Sequence, residues 1–118
     1  MAPTTITGQK TTTTSKGREI KSEGHPLKVA ELLASIEGVS YLQRVSVDSY
    51  PNLQTAKKAI MKSLSYQLKG RGFSLVEILS PCPTDWGMTP TEAAKWIRAT
   101  LSRTYPLGLI KDLYAEAG

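Results

Sequence analysis

The residue best suited to chemistry in this chain is its single cysteine, Cys82, in the segment S-P-C-P-T-D-W-G. Pro81 and Pro83 flank it and restrict the backbone, because each proline ring fixes φ. The segment directly follows F-S-L-V-E-I-L, an apolar run typical of a buried strand. Ligands of open α/β sheets bind beyond the carboxyl ends of the strands. The position of this thiol therefore favours a role in a site.

Three interpretations of Cys82 remain open from the residues alone. A free cysteine is often a small apolar packing residue with no further role. A nucleophilic cysteine needs an activating base, and the single histidine, His25, lies in a polar loop where spacing identifies no partner. A metal ligand needs companions, and the chain has no second cysteine. A complete metal site would therefore require ligands from another chain.

The second candidate is the threonine-rich segment near the start of the chain, T-T-I-T-G-Q-K-T-T-T-T-S-K-G-R. Its hydroxyls, together with two lysines and an arginine, could bind phosphate. The segment has no P-loop sequence, and no G-x-G-x-x-G occurs in the chain. The alternative is a disordered polar segment. Carboxylates such as Glu77 and Asp85 form no convincing acid–base pair, so no catalytic residue is assigned.

The elements that must position these residues begin at residue 27. Residues 1–26 show no helical or strand period and are predicted to be an irregular loop, whereas residues 27–118 have an α/β pattern. The predicted order is a helix over 27–36, a strand over 39–47, a long helix, a strand over 73–79, a turn, a helix and a tail. The sequence T-P-T-E from Thr89 predicts a capping box at the start of the last helix. The long helix is expected to face the core with an apolar stripe: Leu53, Ala56, Ile60, Met61, Leu64 and Leu68.

The predicted fold class is α/β, a partial three-layer parallel sheet with flanking helices. A strand, helix and strand joined by short links form a right-handed crossover, which makes the two strands parallel. A sheet of two or three strands is undersized, and its exposed edge invites another strand. We therefore expect these elements to extend a sheet that more polypeptide supplies.

Composition narrows the class of protein. The chain has 118 residues, a net charge of +5 and one cysteine. One cysteine agrees with a reducing cytoplasm, and no apolar run approaches the roughly 20 residues of a membrane span. The positive charge leaves a second function open, a non-enzymatic basic α/β module that binds nucleic acid or another polyanion. The basic residues are scattered, which disfavours nucleic acid.

Several segments together resemble the thiamine-diphosphate-binding beta subunit of 2-oxoacid:ferredoxin oxidoreductases, of the 2-oxoglutarate type. The resemblance covers nearly the whole chain in order. Its segments are A-P-T-T-I-T-G-Q-K-T-T-T-T, P-L-K-V-A-E-L-L-A, G-V-S-Y-L-Q-R-V, K-K-A-I, G-F-S-L-V-E-I-L-S-P-C-P-T-D-W-G and Y-P-L-G-L-I-K-D. The family's G-D-G…N and C-P-G-C-G motifs are missing from this chain. The resemblance therefore implies the carboxyl-terminal part of that subunit.

The resemblance also implies cofactors and residues that bind them. In the family, the cysteine of S-P-C-P-T supplies one thiolate of a [4Fe–4S] cluster, which makes Cys82 the expected metal ligand in the complete subunit. The opening loop would lie over thiamine diphosphate, bound with Mg²⁺, and over the substrate. There Lys10, Lys16 and Arg18 would attract a carboxylate or a diphosphate. Thr4 and Thr5 are the candidates for that contact.

The implied reaction is oxidative decarboxylation of a 2-oxoacid with coenzyme A, giving an acyl-CoA, carbon dioxide and reduced ferredoxin. The implied partners are the missing amino-terminal half of the subunit, an alpha subunit with further gamma and delta subunits, and ferredoxin. Because the cofactor sites are incomplete in this chain, it is expected to be inactive alone. Its expected location is the cytoplasm.

Overall fold

The computed structural model of the protein describes residues 2–115. They divide into two compact units. One unit contains the described residues up to Lys28 together with Pro81–Tyr105, and the other contains Val29–Ser80 together with the described residues from Pro106 onward. Within residues 2–115, no helix is both long and apolar enough to cross a membrane.

The helices and strands follow the predicted order with three additions: a four-residue helix inside the predicted loop of residues 1–26, a four-residue helix at the predicted turn, and a strand at the end. The helices are α1 (Ile20–Glu23), α2 (Val29–Leu33), α3 (Tyr50–Leu68), α4 (Pro83–Trp86), α5 (Pro90–Trp96) and α6 (Ser102–Thr104), and a π-helical turn, Ile97–Leu101, joins the last two. The strands are β1 (Val39–Ser46), β2 (Phe73–Leu79) and β3 (Gly108–Asp112).

The three strands form one mixed sheet in the order β2-β1-β3. The predicted α/β class is confirmed, and β1 and β2 are parallel as expected from the crossover. The expectation of an entirely parallel sheet is wrong, because β3 runs antiparallel to β1. β3 lies in the segment predicted to be a tail. Five residues that include Lys111 and Asp112 are too short and too charged to show a strand period.

Helices α2 and α3 cover opposite faces of this sheet. Val45 of β1 packs against Ala56 and Ala59 of α3. The neighbouring side chain, Arg44, points to the other face, since side chains alternate along a strand. There it binds Glu31 of α2. The second unit therefore has the three layers that the sequence predicted.

The predicted apolar stripe of α3 is wrong in detail. Of its six positions only Ala56 is buried, and the buried positions of the helix are Ala56, Ala59 and Tyr66. Small alanine side chains let the helix approach the sheet closely, so the core contact uses the alanines rather than the leucines. Leu64 and Leu68 are 59% and 90% exposed. The first predicted helix is also shorter than expected, because α2 ends at Leu33 and Ile36 lies in a turn.

A buried ion network fastens α2 to the sheet. Arg44, 1% exposed, donates to both carboxylate oxygens of Glu31 at 2.7 and 2.6 Å and to Glu77 of β2 at 2.6 Å. It also donates to the carbonyl of Pro106 at 3.1 Å. Burial by itself would lower the pKa of Arg44, but the hydrogen bonds to the two glutamates outweigh it and raise that pKa. The guanidinium is therefore a permanently charged part of the core.

A second polar cluster fastens β3 to α3. Asp112 of β3 lies 2.6 Å from Lys62 Nζ and accepts a hydrogen bond from the Tyr66 hydroxyl at 2.8 Å. Burial would raise the pKa of Asp112, but the hydrogen bonds from Lys62, Tyr66 and the Tyr114 amide more than offset it and lower that pKa. The added strand is thus fixed by a charged aspartate.

Candidate cofactor site

The opening loop is built around one buried arginine. Arg18 is 7% exposed, and its guanidinium lies within 2.9–3.3 Å of six backbone carbonyl oxygens. The carbonyls belong to Ala2, Pro3, Thr5, Glu23, Gly24 and His25. A guanidinium has five N–H donors, so every donor has an acceptor within the loop. Arg18 therefore organises the loop, and the expectation that it attracts a carboxylate or diphosphate is wrong.

The two limbs of the loop also pair through their backbones. The Gly8 amide donates to the carbonyl of Arg18 at 2.9 Å, and the Arg18 amide donates to the carbonyl of Gln9 at 3.2 Å. Gly17 has φ of +87°, and a Cβ there would lie 2.8 Å from the Gly8 carbonyl oxygen. Glycine is required by both the backbone angle and the close approach. The segment is thus a folded loop, without the secondary-structure periods that sequence reasoning uses.

The two candidate threonines differ in exposure. Thr4 is exposed, so its hydroxyl is accessible to a ligand. Thr5 is 5% exposed, and its backbone is committed to the loop: its amide donates to Ala2 at 3.1 Å and its carbonyl accepts from Arg18 at 2.9 Å. Of the two, Thr4 has the side chain better placed to meet a molecule from solvent.

Cys82 lies in the same compact unit as this loop and is exposed. It immediately precedes α4, and its carbonyl accepts from the Trp86 amide at 3.0 Å. Pro81 and Pro83 hold the backbone on both sides. Exposure contradicts the interpretation of Cys82 as an apolar packing residue. The result is an accessible thiol on a restrained turn.

The loop and the cysteine turn are joined by hydrogen bonds that sequence reasoning missed. The Thr12 amide donates to the Asp85 carbonyl at 3.1 Å, and the Thr12 hydroxyl donates to the Asp85 carboxylate. Asp85 is three residues after Cys82. Seventy-three positions separate the two partners, so no local pattern indicates the contact. Thr4, Thr5 and Cys82 thus belong to one folded unit, although no hydrogen bond within the described residues joins either threonine to Cys82.

The rest of the unit supports the turn from its carboxyl side. Trp86 and Trp96 have ring centroids 4.8 Å apart, as expected of packing residues. The predicted capping box at α5 is confirmed: the Glu92 amide donates to the Thr89 hydroxyl at 3.2 Å, and the Thr89 amide donates to the Glu92 carboxylate at 2.9 Å. The turn with Cys82 therefore precedes a well-capped helix.

One cavity of about 330 Å³ opens in this unit, lined by Ile6, Thr7, His25, Pro26, Lys28 and Thr104. Its size is at the lower end of the range for small-molecule sites. None of Thr4, Thr5 and Cys82 lines it. His25 and Lys28 were not predicted as site residues, and only their side-chain types could have suggested them.

The described residues cannot hold a metal centre unaided. Within residues 2–115, no group of three or more histidine, cysteine, aspartate or glutamate side chains is placed to bind a metal ion. An iron–sulfur cluster commonly takes four cysteine thiolates. The chain fits such a cluster only as the donor of one ligand, the exposed thiolate of Cys82.

Comparison with known proteins gives the relationship of the chain. It is 34% identical over 116 residues to the ketoisovalerate oxidoreductase subunit VorA of Methanothermobacter marburgensis, an alignment that covers 98% of this chain and 24% of that subunit. This chain is a relative of 2-oxoacid oxidoreductase subunits. The pyruvate synthase subunit PorB of Methanocaldococcus jannaschii is 30% identical over 80 residues, covering 68% of this chain and 24% of that subunit.

The relationship supports part of the sequence-based prediction. The chain spans about a quarter of the length of each of these curated subunits. The subunits are named for ketoisovalerate and pyruvate, so they support a 2-oxoacid oxidoreductase and give no support to the 2-oxoglutarate type. No protein-family profile matches the chain. No solved structure matches it either.

Proposed function

We propose that the chain is one part of a 2-oxoacid:ferredoxin oxidoreductase. The observation that carries this proposal is the similarity to VorA over 98% of the chain. The complete enzyme would convert a 2-oxoacid and coenzyme A into an acyl-CoA and carbon dioxide, and pass two electrons to two ferredoxins. Thiamine diphosphate, when bound, supplies the stabilisation of the carbanion. The chain would be inactive alone and would act in the cytoplasm.

For the substrate, we propose a 2-oxoacid with an aliphatic side chain, with ketoisovalerate first and pyruvate second. The names of the relatives support this order. 2-Oxoglutarate carries a second carboxylate, which a site normally binds with a cation. Arg18 is the buried cation of the opening loop, and backbone carbonyls already occupy its donors. The loop thus offers no buried arginine to that second carboxylate.

We further propose that Cys82 donates one thiolate to a [4Fe–4S] cluster and that three more come from another polypeptide. Its exposure and its restrained turn support this, because a ligand shared with another chain must be accessible and rigid. Thr4 and Thr5 are proposed to lie at the thiamine diphosphate or the substrate, with the accessible hydroxyl of Thr4 as the more direct contact. The residues that bind Mg²⁺ would lie on the other polypeptide.

The test is to recover the tagged chain from its own cells and to identify every co-purifying chain by mass. The complex is then assayed for coenzyme A-dependent reduction of ferredoxin with ketoisovalerate, pyruvate and 2-oxoglutarate. We expect activity, highest with ketoisovalerate, and iron in the complex. A complex that is stable but inactive with all three acids would contradict the proposal.

The role of Cys82 has its own variant and control. Cys82→Ser should lower the iron content and the iron–sulfur absorption of the recovered complex, while Ser80→Ala, on the same exposed turn, should not. An unchanged iron content in Cys82→Ser would show that this residue is not a cluster ligand.

The alternative of a non-enzymatic basic module has no support from the comparisons. Absent or salt-insensitive binding to RNA and DNA would rule it out.

A further inference from the structure

The outer edge of β2 and one side of α3 form a continuous unfilled surface in the second unit. Within residues 2–115, β2 pairs with β1 alone. The Phe73 amide donates to Gly38, and the Leu79 carbonyl accepts from Val47, so these residues point their backbone groups toward β1. Alternate residues of a parallel strand point the opposite way. The backbone groups of Ser74, Val76 and Ile78 therefore face the free edge.

The apolar side chains of α3 lie on the same side as that edge. Successive helical residues are rotated by about 100°. On the side of α3 nearest β3, Lys62 and Tyr66 contact Asp112. Further around the helix, toward β2, Ser63 and Gln67 contact Ser74. The same rotation next reaches three apolar residues, which are 40%, 37% and 59% exposed: Ile60, Leu53 and Leu64.

The sheet adds an apolar residue to this helical face. Ser74 and Val76 contact α3 or pack against its alanines, so Ile78 stands on the same face of β2. Ile78 is 42% exposed. We define the β2-side surface as the free edge of β2 together with Ile78, Leu53, Ile60 and Leu64.

We propose that the β2-side surface receives a strand and a packed amphipathic helix from the polypeptide that corresponds to the unmatched part of the VorA-type relatives. The unpaired N–H and C=O groups of an open strand edge pair most completely with another strand. An exposed apolar stripe beside that edge marks a surface on which a helix or a sheet face packs. The matched region is only 24% of VorA, which leaves ample polypeptide for such a unit. The identity of the occupant rests on the proposed function, whereas its secondary structure rests on the surface itself.

The test compares the isolated full chain with a chimeric VorA in which this chain replaces the matched segment. Hydrogen exchange is measured at the amides of Ser74, Val76 and Ile78. We expect their exchange to slow by at least about tenfold in the chimera, because paired strand amides exchange only when the pairing opens. Unchanged exchange in a folded chimera would overturn the proposal.

A matched pair of variants separates docking from folding. Leu64 lies on the β2-side surface and is 59% exposed, whereas Leu32 of α2 lies off it and is 60% exposed. In the chimera, Leu64→Asp should abolish the added protection of β2 and Leu32→Asp should leave it. In the isolated chain, neither Leu64→Asp nor Leu32→Asp should shift the denaturation midpoint appreciably, because both side chains are exposed. Equal effects of the two variants in the chimera would overturn the proposal.

Two other outcomes distinguish the occupant and the proposed function. If the isolated chain dimerises and protects the same three amides, a second copy is the occupant and the proposal is wrong. The exchange experiment needs no substrate or cofactor. Protected β2 amides without oxidoreductase activity would therefore support this inference and contradict the proposed function. An active native complex with unprotected β2 amides would support the proposed function and contradict this inference.

Discussion

Replacing Arg18 with methionine should unfold the opening loop. Methionine keeps the apolar stem and removes the donors to six carbonyls. Only the bond to Thr5 is fully buried, and its loss should cost about 2 kcal/mol. The other five carbonyls can recover hydrogen bonds from water, so each loses about 0.5 kcal/mol. The total is about 4.5 kcal/mol, enough to open the loop in a marginally stable domain.

The assay is hydrogen exchange at two loop amides, those of Gly8 and Gly17, which donate to backbone carbonyls at 2.9 and 3.0 Å. Arg18→Met should speed their exchange by about three orders of magnitude, since each 1.4 kcal/mol is a factor of ten. Arg18→Lys should lose about half as much, because an ammonium has three donors. The control is Lys16→Met, which removes an exposed cation from the same loop. Equal exchange in Arg18→Met and the wild type would refute the role given to Arg18.

Three further predictions concern the second unit. Arg44→Met should lower the free energy of unfolding by about 3 kcal/mol, because it leaves the partly buried Glu77 without its cation, and adding Glu77→Gln should recover part of that loss in denaturant titrations. The pKa of Asp112 is lowered in the folded protein, so its charge stabilises the fold fully above the usual aspartate pKa of about 3.9. This stabilisation is lost as pH falls through the lower folded pKa. Asp112→Asn should therefore reduce the fall in melting temperature between pH 6 and pH 2. Gly72→Ala should lower the free energy of unfolding by at least about 2 kcal/mol, because φ is +97° and the new Cβ would lie 2.5 Å from a backbone carbonyl oxygen. Gly70→Ala, with φ of +62° and open space around the new Cβ, should lower it by about 1 kcal/mol. Equal denaturation midpoints for these two variants would contradict the steric argument.

The strands β1 and β2 and the capped helix α5 were predictable because their signals are local. The apolar run from Phe73 to Leu79 coincides with β2, and Val39–Ser46 differs from the predicted strand by one residue at its end. The capping box at Thr89 needs only residues three apart. The parallel direction of β1 and β2 follows from the crossover that joins them.

The buried arginines were not predictable because their partners are distant or carry no side-chain signal. Arg18 binds backbone carbonyls, which every residue has, so its sequence context is that of any basic loop. Arg44 breaks the apolar character of β1, and its ligands Glu31 and Glu77 come from two other elements. Residue type alone suggested an anion contact for Arg18 and gave no role to Arg44, whereas both arginines are buried among acceptors.

The candidate site was predictable as a set of residues and not as an arrangement. Cys82 stood out because it is unique in the sequence and lies between prolines. Its link to the opening loop depends on Thr12 and Asp85, which no sequence spacing relates. The roles proposed for Thr4, Thr5 and Cys82 stay predictions, because each concerns a group bound between this chain and another.

The exposure of Cys82 and the open edge of β2 support the same requirement independently. A packing cysteine would be buried, and a nucleophilic one would need a base beside it, yet this thiol is exposed on a turn that two prolines restrain. An exposed free thiol is a chemical liability unless a ligand or another chain covers it. The unpaired outer edge of β2, beside exposed leucines, is likewise prone to association with another strand. The function proposed above would account for both, because the remaining three quarters of a VorA-type subunit would supply the other cluster ligands and the neighbouring strand. If either feature proved complete in the isolated chain, by a bound cluster or by a self-paired edge, this common explanation would fail.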